Sequence, residues 1–253
     1  MGKERIDKLL MEKGIVESRE RARSLIMEGR VIAEGRRIDK PGTRIDVETE
    51  LQVQGGETPY VSRGGIKLEG ALHAFGFDPR GMVVMDVGAS TGGFTDCVLQ
   101  KGARKVYAVD VGYGQLAWRL QQDSRVVSLE RKNIRYLNRE EVEEVDLILI
   151  DTSFISIEKF LPHLLGFLRT GGDIIGLIKP QFEVGKGEVG KGGVVKDPIL
   201  HQKVIDRISH FSRGLGLSVL RVTESPLLGP KGNKEFFIHL KKEDGQGGKT
   251  KGT

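Results

Sequence analysis

From residue 83 onward, short apolar runs alternate with segments of helical periodicity. The runs are VVMDVG, KVYAVDVG, RVVSLE, VDLILID and DIIGLIK, and the segments between them include FTDCVLQKG, QLAWRLQQD and IEKFLPHLLGFLRTGG. Strands that are apolar throughout are typical of a parallel sheet that helices cover on both faces. The alternation therefore predicts a doubly wound, mostly parallel α/β sheet, and Pro162 is expected early in its helix or at a bend.

The C-terminal part of the chain departs from this alternation. After the predicted helix PILHQKVIDRISHFSRGLG, the strands LSVLRVTE and EFFIHLKK follow each other with no helix between them. Consecutive strands with a short connection pair antiparallel, so these two are expected to close the sheet. The tail EDGQGGKTKGT, residues 243–253, has no apolar residue and is predicted to be disordered.

The first 56 residues predict a separate, small α+β domain. RIDKLLMEKG and SRERARSLIMEG predict two short helices, the second with Ser18 as its N-cap. RVIAEGRRIDK predicts a hairpin that turns at Glu34 and Gly35, and ETELQVQ alternates as a half-buried strand does. Residues 57–62 fall in a stretch with glycine and proline and are expected to link this domain to one that spans 63–242.

Arginines on the second helix indicate a possible contact with an anionic partner. Arg19, Arg23 and Arg30 fall within about 40° of one another at 100° per residue, beside the apolar stripe of the same helix. Such a row can bind phosphates or can simply be a solvated helix face, and charge alone does not decide between them. The net charge of +5 is consistent with either.

Composition excludes several other classes of protein. The single cysteine rules out an internal disulfide, and the five histidines and the cysteine show no metal-ligand spacing, so no metal site is predicted. A reducing, cytoplasmic location fits this cysteine count. The N-terminus is too charged for a signal peptide, and the longest apolar runs are far shorter than a membrane span, so no membrane insertion is expected.

The stretch DVGASTGGFTDC, residues 86–97, lies where a parallel sheet binds its ligand. It follows the first strand of the alternating region and precedes a predicted helix, the position of the glycine-rich turn in nucleotide-binding sheets. Glycines there allow close approach of the backbone to a ligand, and Asp110, at the end of the next strand, is placed to accept hydrogen bonds from ribose hydroxyls. The spacing of Gly88, Gly92 and Gly93 differs from the G-x-G-x-x-G of dinucleotide sites, which favours a different nucleoside cofactor over NAD.

A second glycine-rich stretch, GKGEVGKG at residues 185–192, nearly matches a phosphate-binding loop. Gly192 stands where that loop needs a hydroxyl for magnesium, and the following GVVKDP does not predict a helix, so we reject an ATPase. A mobile basic loop near substrate and a plain connection both remain open.

Two family resemblances become apparent at this point. Residues 5–38 resemble the S4-type RNA-binding module of ribosomal proteins, and the resemblance implies phosphate contacts. The candidates are Arg19, Arg23, Arg30, Arg36 and Arg37, with Arg63 just beyond the linker. The loop at 86–97, IDTSFISIEKF and LIKPQFE resemble the FtsJ-type methyltransferases that use S-adenosylmethionine, and the whole chain resembles the TlyA family, whose members are known both as haemolysins and as rRNA 2'-O-methyltransferases. The implied fold is a Rossmann-like methyltransferase sheet with a small N-terminal RNA-binding domain.

The resemblance also implies site residues. FtsJ-type enzymes use a Lys-Asp-Lys-Glu tetrad, which Lys67, Asp151, Lys179 and Glu235 match. The implied cofactor contacts are Asp86, Gly88, Ser90, Gly92, Gly93, Phe94 and Asp110, with Asn133 near the adenine, where the family commonly has Asp. The implied substrate is ribosomal RNA or a ribosomal subunit, with cytidine as the methylated nucleotide.

The residue types fit this chemistry. A ribose 2'-hydroxyl is a poor nucleophile at neutral pH, so its proton must be removed or weakened and its oxygen held in line. Lys179 is the candidate base. Burial and a nearby cation such as Lys67 favour its neutral form, while Asp151 and Glu235 oppose it, so Lys179 acts either as a base or as a charged orienting donor.

Two other functions compete with the ribose methyltransferase. A membrane-active haemolysin predicts long apolar or amphipathic hairpins and a secretion signal, which the sequence lacks. A ribosome-binding factor with an inactive enzyme domain predicts a broken tetrad, and the tetrad here is intact. Mutation of one tetrad lysine distinguishes this last alternative, because a pure binding factor keeps its function.

Overall fold

The computed structural model describes residues 2–16, 18–27, 29–54, 59–185 and 187–243. The predicted linker at 57–62 lies partly outside these residues, and the predicted tail at 243–253 lies almost wholly outside them. The strands are β1 (Lys3–Arg5), β2 (Val31–Ala33), β3 (Arg36–Ile38), β4 (Arg44–Asp46), β5 (Leu51–Val53), β6 (Val83–Val87), β7 (Lys105–Val109), β8 (Val126–Leu129), β9 (Val145–Ile150), β10 (Leu168–Ile178), β11 (Leu217–Glu224) and β12 (Phe236–Lys242). The α-helices are α1 (Ile6–Glu12), α2 (Arg19–Met27), α3 (Arg63–Phe75), α4 (Gly93–Gln100), α5 (Trp118–Gln121), α6 (Leu161–Leu164), α7 (Pro180–Glu183) and α8 (Pro198–Gly214).

The N-terminal unit has the two predicted helices and the predicted hairpin. Helix α2 begins at its predicted cap, since the Ser18 hydroxyl oxygen accepts a hydrogen bond from the Arg21 amide at 3.1 Å. Strands β3, β2 and β5 form one antiparallel sheet in that order, and β1 pairs with β4 in a second small sheet that the sequence pattern did not predict. The apolar faces of both helices bury Ile6, Leu10 and Ile26 against β2.

The large sheet has seven strands in the order β11, β12, β10, β9, β6, β7, β8. Strands β6 to β10 run parallel, whereas β12 pairs antiparallel with both β10 and β11. This arrangement confirms the predicted parallel sheet with an antiparallel closing pair. The strand order reverses at β6, which lies between β9 and β7, and this point of reversal is where open α/β sheets bind their ligands.

Both faces of the sheet are covered, as the uniformly apolar strands predicted. In β9, Ile148 and Ile150 pack on the face that α6 and α8 cover, and Leu147 and Leu149 pack on the opposite face against α3 and α4. Successive side chains of a strand point to opposite faces, so a strand that is buried on both sides must be apolar at every position.

One predicted helix is wrong over half its length. The pattern IEKFLPHLLGFLRTGG predicted a helix through Gly172, but α6 ends at Leu164 and β10 begins at Leu168, opposite Val145 of β9. The strand register shifts between Leu168 and Asp173, where Gly171 has a φ of +71°. A short apolar run fits either a strand or a buried helix, and pairing with β9 decided in favour of the strand. Pro162 does lie in the first turn of its helix.

Helix α3 was not predicted from the sequence. The glycines in RGGIKLEG lower its intrinsic helix propensity. The helix nevertheless has both end signals, because the Ser62 hydroxyl oxygen accepts from the Gly64 amide at 3.3 Å and Gly76 ends the helix with a φ of +64°. Its buried side chains, such as Leu68 and Leu72, pack in the same core cluster as Val98 of α4.

Candidate functional site

A cavity of about 470 Å³ lies at the carboxyl ends of β6, β9 and β10. Its wall combines the turn after β6, the ends of β9 and β10, the start of α3 and the segment before β12. The lining residues are Met27, Gly29, Arg37, Asp39, Ser62, Arg63, Gly64, Lys67, Asp86, Gly88, Ala89, Ser90, Thr91, Gly93, Phe94, Asp151, Ser153, Lys179, Leu228, Gly229, Pro230, Lys231 and Glu235. The cavity therefore joins the predicted cofactor loop, the four predicted catalytic residues and part of the N-terminal unit.

Asp86 provides a buried carboxylate at the base of the loop. It is fully buried, and its Oδ2 accepts hydrogen bonds from the Thr95 amide at 3.0 Å and the Thr95 hydroxyl at 2.7 Å. Its Oδ1 is buried without a hydrogen-bond partner among the described residues. Burial raises the pKa of Asp86 to about 7, repulsion from Asp151 and Asp110 adds to the rise, and the Thr95 hydrogen bonds oppose it.

Neighbouring protein atoms leave no room for a side chain at the loop glycines. A Cβ on Gly88 would lie 2.7 Å from the Asp151 carbonyl oxygen, and one on Gly92 would lie 2.3 Å from a methyl carbon of Leu120. A Cβ on Gly93 would lie 2.3 Å from the Ser62 hydroxyl. Gly88 and Gly92 also have φ values of +86° and +92°, which favour glycine. Close packing of the loop against β9, α5 and α3 thus gives these three positions a structural reason that the sequence interpretation lacked.

Asp110 and Ser90 hold the loop in shape. The Asp110 carboxylate accepts from the Ser90 amide at 2.8 Å and from the Gly112 amide at 2.7 Å, so both of its oxygens are already engaged once. Each oxygen retains capacity for a further hydrogen bond. Ser90 has a φ of +48°. Asn133 lies outside the cavity lining, and its Oδ1 accepts from the Arg135 amide at 3.1 Å as the cap of a short 3₁₀ helix.

Phe94 is buried and packs against Phe237. Its ring is 2% exposed, and its centroid lies 6.0 Å from that of Phe237 in β12. The ring therefore joins α4 to the antiparallel part of the sheet while its residue also lines the cavity.

The structure brings the four tetrad residues into the one cavity as two lysine–carboxylate pairs. The Lys67 Nζ lies 2.6 Å from the Glu235 Oε2, and the Lys179 Nζ lies 2.5 Å from the Asp151 Oδ1. Both lysines are 9% exposed and Glu235 is 1% exposed. Since the four residues come from α3, the ends of β9 and β10, and the segment before β12, only the fold brings them together.

Glu235 is held from several sides. Its second oxygen, Oε1, accepts from the Gln181 side-chain amide at 3.5 Å, and a Cβ on Gly229 would lie only 2.0 Å from it. Buried Asn233 ties the adjacent loops together, because its Oδ1 accepts from the Val195 amide at 3.0 Å and its Nδ2 donates to the Gly193 carbonyl at 3.0 Å. These hydrogen bonds anchor Gly193 and Val195, so the chain just after the glycine-rich stretch at 185–192 is fixed close to Glu235.

Three residues at the site were not predicted from the sequence. The Lys179 Nζ also donates to the Ser153 hydroxyl at 3.1 Å. Phe154 is 89% exposed and has a φ of +67°, and its ring lies 4.9 Å from that of Phe182. Lys231 lines the cavity with a φ of +59°. Positive φ at a non-glycine residue is uncommon and often occurs at functional sites, but no sequence pattern reveals it.

The predicted arginines have different environments. Arg23, Arg36 and Arg37 are exposed, and Arg63 is half-buried with its guanidinium 3.4 Å from the Leu228 carbonyl oxygen. Arg19 pairs with the fully buried Asp7 at 3.1 Å. Arg30 differs from the exposed arginines, because it is 8% exposed and donates from its Nε to the Gln54 carbonyl at 2.6 Å. Arg30 therefore ties the end of α2 to the β5 region, and its predicted phosphate contact stays a prediction.

Comparisons with known proteins agree with the two structural units. Residues 60–242 match the FtsJ-like methyltransferase family, and residues 4–51 match the S4 domain. A 16S/23S rRNA (cytidine-2'-O)-methyltransferase, TlyA of Mycobacterium tuberculosis, is 47% identical over 94% of this chain and 89% of its own length. Hemolysin A of Brachyspira hyodysenteriae is 39% identical over 93% of this chain and 99% of its own length.

A solved structure shows the same fold over nearly the full chain. A protein of Streptococcus thermophilus, described as a candidate hemolysin, has a TM-score of 0.75 and 46% sequence identity, and covers 96% of this chain and 90% of its own. The chain therefore belongs to the FtsJ-like methyltransferases. Within them it falls among the TlyA proteins, and residues 4–51 form its N-terminal S4 domain.

Two further findings on the described residues concern membrane spans and metal binding. None of the helices in the described ranges is both long and apolar enough to cross a membrane. Within those ranges, no group of three or more His, Cys, Asp or Glu side chains is arranged to hold a metal ion.

Proposed function

We propose that this protein transfers a methyl group from S-adenosylmethionine to a ribose 2'-hydroxyl, on cytidine, in ribosomal RNA. The observation that carries the proposal is the pair of buried lysine–carboxylate contacts that open into the same cavity as the loop after β6. The TlyA relative from M. tuberculosis, which is 47% identical, is named for this reaction.

The loop after β6 fits a cationic nucleoside cofactor. Asp86 lines the cavity and its Oδ1 has no hydrogen-bond partner among the described residues, while burial, with added repulsion from Asp151 and Asp110, raises the pKa of Asp86. A positively charged ligand at this place satisfies the free oxygen and relieves the repulsion. Asp86, Ser90 and the loop backbone would hold the methionine part, and Asp110 would accept from the ribose hydroxyls. When bound, S-adenosylmethionine supplies an electrophilic methyl group on a positively charged sulfur.

Lys179 would act on the substrate hydroxyl. Its Nζ is held between Asp151 and Ser153, so its position is fixed before substrate binds. The ribose oxygen loses its proton as it gains the methyl group, and Lys179 either takes that proton or orients the hydroxyl while solvent takes it. Lys67, fixed by Glu235, would hold a second oxygen of the nucleotide. These fixed groups bring the hydroxyl into line without reorganisation during the reaction.

Phe154 and the N-terminal unit would hold the RNA around this site. The exposed ring of Phe154 follows Ser153 directly and offers a surface on which an unstacked base can pack, as is common in RNA recognition. The S4 domain presents Arg23, Arg36 and Arg37 to solvent, where they would bind backbone phosphates.

The position of the methyl group provides the test. Alkaline cleavage of RNA requires a free 2'-oxygen, so 2'-O-methylation produces a gap in an alkaline ladder, and base methylation does not. We expect the product to show one gap, and we expect Lys179→Ala to abolish it while cofactor affinity stays within about threefold, ~0.7 kcal/mol.

Lys105→Ala is the matched control. Lys105 also pairs with a carboxylate, Glu143 at 3.0 Å. It is the first residue of β7, at the amino end of the strand and away from the cavity at the carboxyl ends, so this variant should keep the gap. A methylated product without a gap would contradict ribose methylation. A gap formed at the native rate by Lys179→Ala would remove that lysine from the mechanism.

A further inference from the structure

The N-terminal unit forms one wall of the catalytic cavity. Met27 and Gly29 at the end of α2, together with Arg37 and Asp39 of the hairpin, line the same cavity as Lys179. The two units also touch outside the cavity, where the Arg21 guanidinium donates to the Val61 carbonyl at 3.1 Å. A nucleotide that reaches Lys179 therefore passes beside the hairpin.

The two adjacent arginines of β3 lie on different faces of their small sheet. Arg36 is opposite Ala33, a residue of the N-terminal core, while Arg37 is opposite Ile32 on the other face. Successive residues of a strand alternate in this way, and of the two arginines only Arg37 lines the cavity.

Gly29 fixes the path of the Arg37 side chain. A Cβ on Gly29 would lie 2.9 Å from the Arg37 Cδ, so the arginine stem passes directly over the glycine at the end of α2. Gly29 also has a φ of +67°, which favours glycine. The Arg37 side chain thus passes over the segment that follows α2, and Arg37 also lines the cavity.

The charge of Arg37 is available to a ligand. Lys67 and Lys179 are each paired with a carboxylate, whereas no hydrogen bond or ion pair joins the Arg37 guanidinium to any residue that the structure describes. Arg63 and Lys231 also line the cavity.

We propose that Arg37 binds the backbone phosphate next to the target ribose inside the catalytic cavity, so the N-terminal unit completes the active site. This inference rests on the proposed function, because a ribose held at Lys179 carries a phosphate on the neighbouring 3'-oxygen. A guanidinium matches the geometry of phosphate oxygens and would fix the ribose relative to Lys179. A remote S4 contact adds affinity, whereas this contact also sets the rate of methyl transfer.

The test separates rate from affinity. Ribosomal subunits from cells that lack the protein serve as substrate, and methyl transfer is followed as the growth of the alkaline-ladder gap over time at saturating substrate. We expect Arg37→Ala to lower this rate about tenfold or more and Arg37→Lys to recover only part of it, since lysine keeps the charge but not the paired donors of the guanidinium. Arg36→Ala is the matched control, because Arg36 lies on the opposite face of the same hairpin. We expect it to weaken substrate binding, while its rate of methyl transfer at saturating substrate equals that of the wild type.

Three results would overturn the inference. One is an Arg37→Ala rate that returns to the wild-type value at saturating substrate, as for a remote contact. Another is a loss of S-adenosylmethionine affinity in Arg37→Ala, which would assign the arginine to the cofactor. The third is a wild-type product without a gap, which removes the proposed function and this inference with it, whereas the first two leave the proposed function standing.

Discussion

The buried carboxylate of Asp86 should make cofactor binding depend on pH. Its pKa is raised to about 7, chiefly by burial, so Asp86 changes charge near neutral pH in the free protein. A cationic cofactor beside its Oδ1 favours the ionised form and lowers the pKa of Asp86 in the complex. Binding must then release a proton below pH 7, and cofactor affinity must fall as the pH falls through 7.

The magnitude follows from the raised pKa. Roughly nine tenths of Asp86 is protonated at pH 6 and roughly one tenth at pH 8, while in the complex it stays ionised over this range. The apparent Kd for S-adenosylmethionine should therefore be about tenfold higher at pH 6 than at pH 8, ~1.4 kcal/mol.

Calorimetry in buffers of different ionisation enthalpy measures both the Kd and the number of protons released. The amino group of the cofactor also titrates, so the control is Asp86→Asn, which leaves that contribution in place and keeps an acceptor for Thr95. The wild-type to variant affinity ratio should change about tenfold between pH 6 and pH 8. A ratio that is constant across this range, with both proteins folded, would refute the assignment of Asp86 as the partner of a cofactor cation.

Two further predictions concern the cofactor and the N-terminal unit. Asp110→Ala should weaken S-adenosylmethionine binding about tenfold or more, because charge-assisted hydrogen bonds to the ribose are worth roughly 1.5 to 3 kcal/mol, and unchanged affinity in equilibrium dialysis would contradict the contact. Deletion of residues 1–56 should leave a domain that binds cofactor but methylates RNA poorly, and equal RNA methylation with and without these residues would exclude the role of the S4 domain. The RNA affinity of the full chain should also fall steeply with salt, as phosphate counterions are released.

The sequence predicted the elements whose signals are local. The strands of the large sheet were predictable because burial on both faces requires apolar residues at every position, as in β9. The cap at Ser18 and the hairpin turn at Glu34 and Gly35 depend on backbone preferences of the residues themselves. Helix α3 and the start of β10 could not be predicted in this way, since glycines weaken the first and strand pairing with Val145 determines the second.

For the tetrad, the sequence identified the residues, and only the structure shows how they pair. The resemblance identified Lys67, Asp151, Lys179 and Glu235, but nothing in their spacing shows that lysine pairs with carboxylate in the combinations Lys67–Glu235 and Lys179–Asp151. These contacts join residues far apart in the chain, and the order of strands in the sheet brings them together.

Thus the local sequence determined where strands, caps and turns occur, because each depends on a few neighbouring side chains and on backbone preferences. Tertiary structure alone decided what each charged side chain faces. Arg30 and Arg37 are both arginines of one predicted phosphate-binding set, yet the fold buries Arg30 against Gln54 and places Arg37 in the lining of the cavity that contains Lys179. The physical reason is that burial and charge pairing depend on the surroundings in space, which residues distant in the chain supply.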